Sequence, residues 1–181
     1  MRVYVPLTLS GLTEAHKTGE LGSGPLVAYA VTAALREWYD SEDIEELEYA
    51  ALGQAALASL RLLDADRGAP RRRVVVAVDV ADRIVEADPD PDPDPDPGPS
   101  HDRENDAAEP GEVRVTGRVA LAKAAAVHVD ADGAEAAVAA AAEALAAADG
   151  GDGGARSVVD GAEDHELLWF APQEIPNLLG S

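Results

Sequence analysis

The side chains of this sequence that are best suited to chemistry are four consecutive titratable residues, Glu163, Asp164, His165 and Glu166. His165 can exchange a proton near neutral pH, and a carboxylate beside it, Asp164 or Glu166, can orient the ring or bind a hard cation. Adjacent strand residues point to opposite faces, however, which argues against a site shared by all four. We therefore favour a polar turn and keep His165 as the candidate catalytic residue.

A second candidate site pairs His128 with Asp130, two positions apart on a predicted strand over residues 127–130. Residues two apart in a strand share a face, and an imidazole nitrogen with a carboxylate oxygen is a known set of metal ligands. The simpler interpretation, which we prefer, is that Val127 and Val129 face the core while His128 and Asp130 face water.

Aromatic residues suggest a third kind of site. Trp38, Tyr39 and Tyr49 fall within one short stretch, and one interpretation is a ligand pocket lined by Trp38 and Tyr49. Packing in the core or at a helix–sheet edge is the commoner role of buried aromatics, and we expect that role here.

Other patterns that carry chemistry are weak or missing in the sequence. Residues 71–73 are three arginines, the only basic run, and we expect them to be solvated or paired with acids of the central segment. The glycines at 19–24 lack the Lys-Ser/Thr of a phosphate loop. The chain has no cysteine, which excludes disulfides and thiolate zinc sites. We expect no cofactor.

The charge of the chain limits its partners. The 181 residues carry a formal net charge of −21, and the segment 84–112 alone holds 11 acids and 1 base. A field of this sign repels nucleic acid and anionic membrane surfaces, so we expect neither partner and leave a protein partner open. No signal peptide or apolar span stands out, which predicts a cytoplasmic protein. The sequence does not predict an oligomeric state.

The N-terminal part of the chain predicts a strand, a long helix and a central strand. Residues 2–7 alternate between apolar and polar, residues 41–63 have helical periodicity with Asp40 or Ser41 as the cap, and residues 73–78 are a β-branched run. Residues 86–111 contain an Asp-Pro alternation that can form neither element, and this composition predicts a disordered linker.

The C-terminal part predicts further strands at 112–116 and 127–130, a loop at 149–154, and a closing strand at 167–170. Trp169 and Phe170 in that strand are expected to complete a core otherwise built from Ala, Val and Leu. The order of elements predicts an α+β fold with a mixed or antiparallel sheet and helices mainly on one face, in which ferredoxin-like units are possible. We divide the chain into residues 1–85 and 112–181, two halves of one domain, and the linker 86–111.

Both ends of the chain resemble a known family. The start M-R-V-Y-V-P-L-T-L and the closing block D-G-A-E-D-H-E-L-L-W-F-A-P-Q-E-I-P-N-L-L resemble DUF6912, a family of small actinobacterial proteins of unknown function. The resemblance implies an actinobacterial cytoplasmic protein, and it brings no activity, cofactor or catalytic residue.

Three hypotheses of function follow. The leading one is a non-enzymatic interaction or regulatory module that uses a surface near the closing block. The second is a small hydrolase or metal-dependent enzyme centred on His165, with His128 and Asp130 nearby. The third is a protein that binds a small ligand in an aromatic pocket at Trp38 and Tyr49.

Overall fold

The computed structural model describes residues 1–22, 25–87 and 110–180. Most of the segment predicted to be disordered, including the Asp-Pro alternation, therefore lies outside the described residues. Its described ends belong to the fold, because residues 86 and 87 are in a strand and Gly111 donates its N–H to the Gln54 side chain at 3.1 Å. The division into 1–85, 86–111 and 112–181 stays a prediction.

Nine strands and six α-helices occur within the described ranges. The strands are β1 (Arg2–Leu7), β2 (Glu20–Gly22), β3 (Leu26–Tyr29), β4 (Val74–Asp79), β5 (Val85–Ala87), β6 (Glu112–Val115), β7 (Val119–Ala120), β8 (Ala124–Asp130) and β9 (Leu167–Phe170). The helices are α1 (Leu9–Thr18), α2 (Ala33–Tyr39), α3 (Ile44–Ala65), α4 (Glu135–Asp149), α5 (Gly153–Glu163) and α6 (Ile175–Leu178).

Seven of the strands form one antiparallel sheet in the order β5-β6-β3-β1-β4-β8-β9, and β2 pairs with β7 separately. Both β3 and β4 are antiparallel to β1, which lies between them, so they are parallel to each other. The connection through α2 and α3 joins these two strands and makes one split β-α-β unit of the ferredoxin-like kind. The predicted α+β fold is confirmed.

The larger helices lie on one side of the sheet. Ala51 and Ala55 of α3 pack against Val75 and Ala77, and their small side chains allow the helix to approach the sheet closely. The helices α4 and α5 pack in turn on the C-terminal half of α3, around Leu63. The opposite face of the sheet is covered by α1 and α6.

The N-cap of helix α3 is Asp43, two residues after Ser41 and three after Asp40, the two caps predicted from the sequence. The carboxylate of Asp43 accepts hydrogen bonds from the N–H groups of Glu45 and Glu46, at 3.0 and 3.4 Å, and so caps the first turn. Asp40 instead ends α2 in the left-handed region, with φ of 48°. The prediction of Asp40 or Ser41 as the cap is therefore wrong.

Most of the aromatic side chains predicted to be buried are exposed. Trp169 is 62% exposed, Trp38 73% and Tyr49 68%, whereas Tyr4 and Tyr29 are buried beneath α3. Phe170 is only partly buried, against the core on the far face. The inner face of α3 carries small side chains such as Ala51 and Ala55, and the rings buried beneath them belong to the sheet strands β1 and β3. Trp169 closes the sheet as predicted but does not fill its core.

Candidate functional site

A cleft of about 640 Å³ lies between α3 and the junction of α5 with β9. Apolar side chains line the cleft on both sides: Leu57 and Leu60 belong to α3, Val159 to α5, and Leu167 to the start of β9. Two tyrosines and three glutamates also line it: Tyr39, Tyr49, Glu46, Glu163 and Glu166. The cleft brings together several of the residues singled out in the sequence, namely Tyr39, Tyr49, Glu163, His165 and Glu166.

The floor of the cleft contains a buried ion pair between Arg73 and Asp130. Arg73 Nε and Nη2 donate to Asp130 Oδ2 and Oδ1, each at 2.8 Å, and the Arg73 main-chain N–H donates to Oδ2 at the same distance. The Arg73 side chain is 4% exposed and that of Asp130 is 0% exposed. A bidentate pair that is almost fully removed from water requires both partners, because loss of one leaves the other charge buried without a counter-charge.

Asp130 therefore does not face water, and that prediction is wrong. The alternation in β8 correctly predicts which residues share a face of the sheet. Both faces are covered, however, and α3 and its neighbours cover the face that carries Asp130. The expectation that Arg73 would be solvated or paired with the central acidic segment is wrong for the same reason. Arg72 also turns toward the fold, donating from Nε to the Asp130 carbonyl oxygen at 2.9 Å.

Arg73 also holds the end of α5 in place. Its Nη2 donates to the carbonyl oxygens of Ala162 and His165, at 2.9 and 2.8 Å. Carbonyl groups at a helix C-terminus have no partner within the helix, and the guanidinium supplies one. The position of the titratable cluster at 163–166 is thus set by a buried arginine 90 residues earlier in the chain, a link that sequence spacing did not suggest.

The side chain of His165 lies exposed at the cleft, with the exposed Glu166 after it and Asp164 before it at the end of α5. Within the described residues the imidazole makes no hydrogen bond or ion pair with either carboxylate. No group of three His, Asp or Glu side chains in residues 1–22, 25–87 and 110–180 is arranged to hold a metal ion. The geometry therefore assembles neither an acid–base pair nor a ligand set around His165.

His128 lies elsewhere, in the middle of β8, where its cross-strand neighbours are Val75 on β4 and Trp169 on β9. It is half-buried, and this burial lowers the pKa of the imidazole below its usual value. It does not line the cleft that His165 lines. His128 thus belongs to the sheet surface rather than to a site with His165, and its partner in the metal hypothesis, Asp130, is already bound by Arg73.

We expect His128 to make the protein less stable in mild acid. The folded pKa is below the unfolded value of about 6.5, so the unfolded chain binds more protons, and the free energy of unfolding falls as the pH drops through that value. Urea unfolding of the native chain and of His128→Gln between about pH 7.5 and 5.5 measures this, and the variant should show the shallower pH dependence.

His165→Gln is the matched control, because the His165 ring is exposed and has no hydrogen-bond partner among the described residues. Equal slopes for the native chain and His128→Gln would show that burial of His128 has no effect on its titration.

The three aromatic residues of the ligand hypothesis separate in the structure. Tyr39 and Tyr49 line the cleft, while Trp38 is exposed and does not. The aromatic pocket predicted at Trp38 and Tyr49 therefore shares only Tyr49 with the cavity observed.

The second notable surface is the edge of the sheet. β9 is the end strand of the seven, and its two middle residues, Leu168 and Trp169, are 46% and 62% exposed. These side chains point to opposite faces of the sheet, so both faces of this edge present apolar surface to solvent.

Helices that combine the length and the apolar composition needed to cross a membrane do not occur in the described part of the chain. No curated protein and no solved structure shows significant similarity to the chain. The model of a family of unknown function, DUF6912, matches residues 1–179, nearly the whole sequence. The two terminal blocks that resembled this family thus lie inside one continuous match, and the chain belongs to DUF6912.

Proposed function

We propose that this protein is a non-enzymatic interaction module that binds an extended basic segment of a partner protein along β9. The observation that carries the proposal is an end strand with two large apolar side chains, Leu168 and Trp169, in contact with solvent. An end strand offers unpaired main-chain groups to another strand, and natural proteins usually protect such an edge with charge or proline. β9 itself contains neither.

The charge around β9 indicates the chemistry of the partner. Glu163, Asp164 and Glu166 precede the strand, Glu174 follows it, and all four are exposed. A second copy of this acidic chain would place like charges beside one another, whereas a segment with Lys or Arg flanking its apolar residues would complement them. Main-chain pairing would supply affinity, and alternate side chains would supply specificity.

The enzyme hypothesis receives no comparable support. Among the described residues, His165 has no carboxylate partner, and Asp130 is occupied by Arg73. The resemblance of the chain to actinobacterial proteins leads us to place the interaction in the cytoplasm of such a bacterium.

The test uses a short capped peptide of alternating Val and Lys as the probe. In the Trp38→Phe background Trp169 is the remaining tryptophan, and its fluorescence reports binding at β9. We expect saturable binding that weakens with salt, and a loss of about tenfold or more in affinity for Leu168→Lys. Leu62→Lys is the matched control, because Leu62 is an exposed leucine on α3, outside the cleft.

Two further peptides make the test specific. A peptide that is N-methylated at every residue has no N–H group to donate to a β-ladder and should not bind, and a Val-Glu peptide should be repelled. Equal binding of the N-methylated peptide, or no saturable signal with the Val-Lys peptide, would overturn the proposal.

A further inference from the structure

One nitrogen of the buried Arg73 guanidinium has no partner within the described residues. Nε and Nη2 are engaged with Asp130, Ala162 and His165, and Nη1 forms no hydrogen bond with any described residue. Every buried side-chain nitrogen or oxygen in the described part of the chain has a partner, so Nη1 must reach solvent. Since Arg73 lines the cleft between α3 and α5, Nη1 presents a hydrogen-bond donor at its floor.

A glycine in the middle of α3 keeps this cleft open. Gly53 lines the cleft, and a Cβ built on it would meet no atom within 4 Å, so no close packing requires a glycine there. Its φ is also negative, like that of any helical residue. A glycine in a helix interior costs about 1 kcal/mol relative to alanine. No packing contact that needs a glycine offsets this cost. The absence of a side chain at Gly53 instead leaves space in the cleft.

The charges at the cleft restrict what it can hold. Asp130 balances the charge of Arg73, and the other acidic or basic side chains along the wall are those of Glu46, Glu163, Glu166 and His165, which leave an excess of negative charge. An anion would be repelled by this rim, and a cation would be attracted. The apolar walls at Leu57, Val159 and Leu167 favour an apolar body between the two polar ends.

We infer that the cleft binds a small molecule with three parts: an amine at the acidic rim, an apolar body between the walls, and a neutral acceptor on Arg73 Nη1. The proposal does not depend on strand pairing at β9. It differs from the aromatic pocket suggested by the sequence, because its specificity comes from a buried arginine and a glycine gap rather than from Trp38.

Phenylalanine amide is a suitable probe, because it has an ammonium group, a phenyl ring and a neutral carbonyl. For a molecule of this size we expect a Kd of about 1 mM, measured by chemical-shift titration on the full chain. N-acetylphenylalanine amide, which lacks the charge, and phenylalanine, which adds a carboxylate, should each bind several-fold more weakly.

Gly53→Leu should abolish binding of phenylalanine amide by filling the gap, while leaving the helix intact. Gly161→Leu is the matched control, since Gly161 is a helical glycine with open space at its Cβ position that does not line the cleft. The combined variant Glu163→Gln and Glu166→Gln should weaken binding several-fold and reduce its salt dependence, because Glu46 is then the remaining rim carboxylate.

Absence of saturable binding to the native chain would overturn the inference, as would unchanged affinity in Gly53→Leu or in the Glu-to-Gln variant. Leu168→Lys should leave the affinity for phenylalanine amide unchanged, because Leu168 does not line the cleft. The same variants therefore distinguish a failure of the strand-pairing proposal from a failure of the ligand-binding inference.

Discussion

Replacing Asp130 with Ala is expected to destabilise the protein by about 3–5 kcal/mol, the largest effect we predict for one substitution. The carboxylate accepts three hydrogen bonds from Arg73, and both side chains are almost fully removed from water. Its removal leaves a guanidinium buried without a counter-charge and a main-chain N–H without an acceptor. Urea unfolding followed by far-UV circular dichroism measures the loss as a shift of the midpoint.

The exposed ion pair of the same chemistry is the control. Arg2 and Asp79 form a hydrogen-bonded pair at the end of β1 and β4, with Nε 3.1 Å from Oδ1, and solvent contacts both side chains. Asp79→Ala should therefore cost less than about 1 kcal/mol. Equal, small costs for Asp79→Ala and Asp130→Ala would show that the buried pair is not as desolvated as the structure has it.

A double variant separates the charge from the packing. Replacing Arg73 and Asp130 together by Met and Leu removes both charges, so it should recover part of the stability lost in Asp130→Ala. It should not recover all of it, because the carbonyl oxygen of His165 loses its donor and that of Ala162 keeps only main-chain donors. The end of α5 and residues 163–166 should then exchange amide hydrogens faster than in the native chain.

The pattern of the sequence predicts the sheet well, because backbone periodicity and side-chain type act locally. The β-branched run at 73–78 forms β4 in the interior of the sheet, next to the central strand β1. The helical period at 41–63 becomes α3, with buried Leu47, Ala51 and Ala55 along one face. The closing strand is found at its predicted residues, 167–170, and at the edge of the sheet. Such features depend on a few neighbouring residues and need no knowledge of tertiary contacts.

What could not be predicted depends on distant parts of the chain. Alternation in β8 places Asp130 on one face, but only the position of α3 and α5 decides that this face is buried. The partner, Arg73, is 57 residues earlier in the sequence. The cleft likewise requires two helices and a strand, none of which is sufficient alone.

Helix α5 was missed for a compositional reason. Residues 149–154 are rich in Gly and Asp and indicate a loop, yet Asp152 accepts hydrogen bonds from the N–H groups of Gly154 and Ala155 and starts the helix there. Val159 and Ala162 then bury one face of it against α3 and α4. The cap at Asp152 was the available signal, and the surrounding glycines obscured it.

Replacing Ser59 with Ala should cost about 2–3 kcal/mol, although it removes a single oxygen atom. Ser59 lies fully buried on the inner face of α3. Its Oγ donates to the carbonyl oxygen of Leu7 at 2.6 Å and accepts from the N–H of Val74 at 3.0 Å. Leu7 and Val74 are paired across β1 and β4, so the hydroxyl bridges the end of that ladder and fixes the helix above it.

The effect should be visible both globally and at the bridge. Thermal or urea unfolding gives the total cost, and hydrogen exchange at the Val74 amide reports the local loss of its acceptor. Ser157→Ala is the control, because Ser157 makes one hydrogen bond, to the Gly153 carbonyl oxygen at 3.1 Å, on the exposed side of α5, and should cost less than about 0.5 kcal/mol. If Ser59→Ala matched Ser157→Ala in stability, the α3 crossover would be held by apolar packing alone, and the bridge between helix and sheet would have no energetic role.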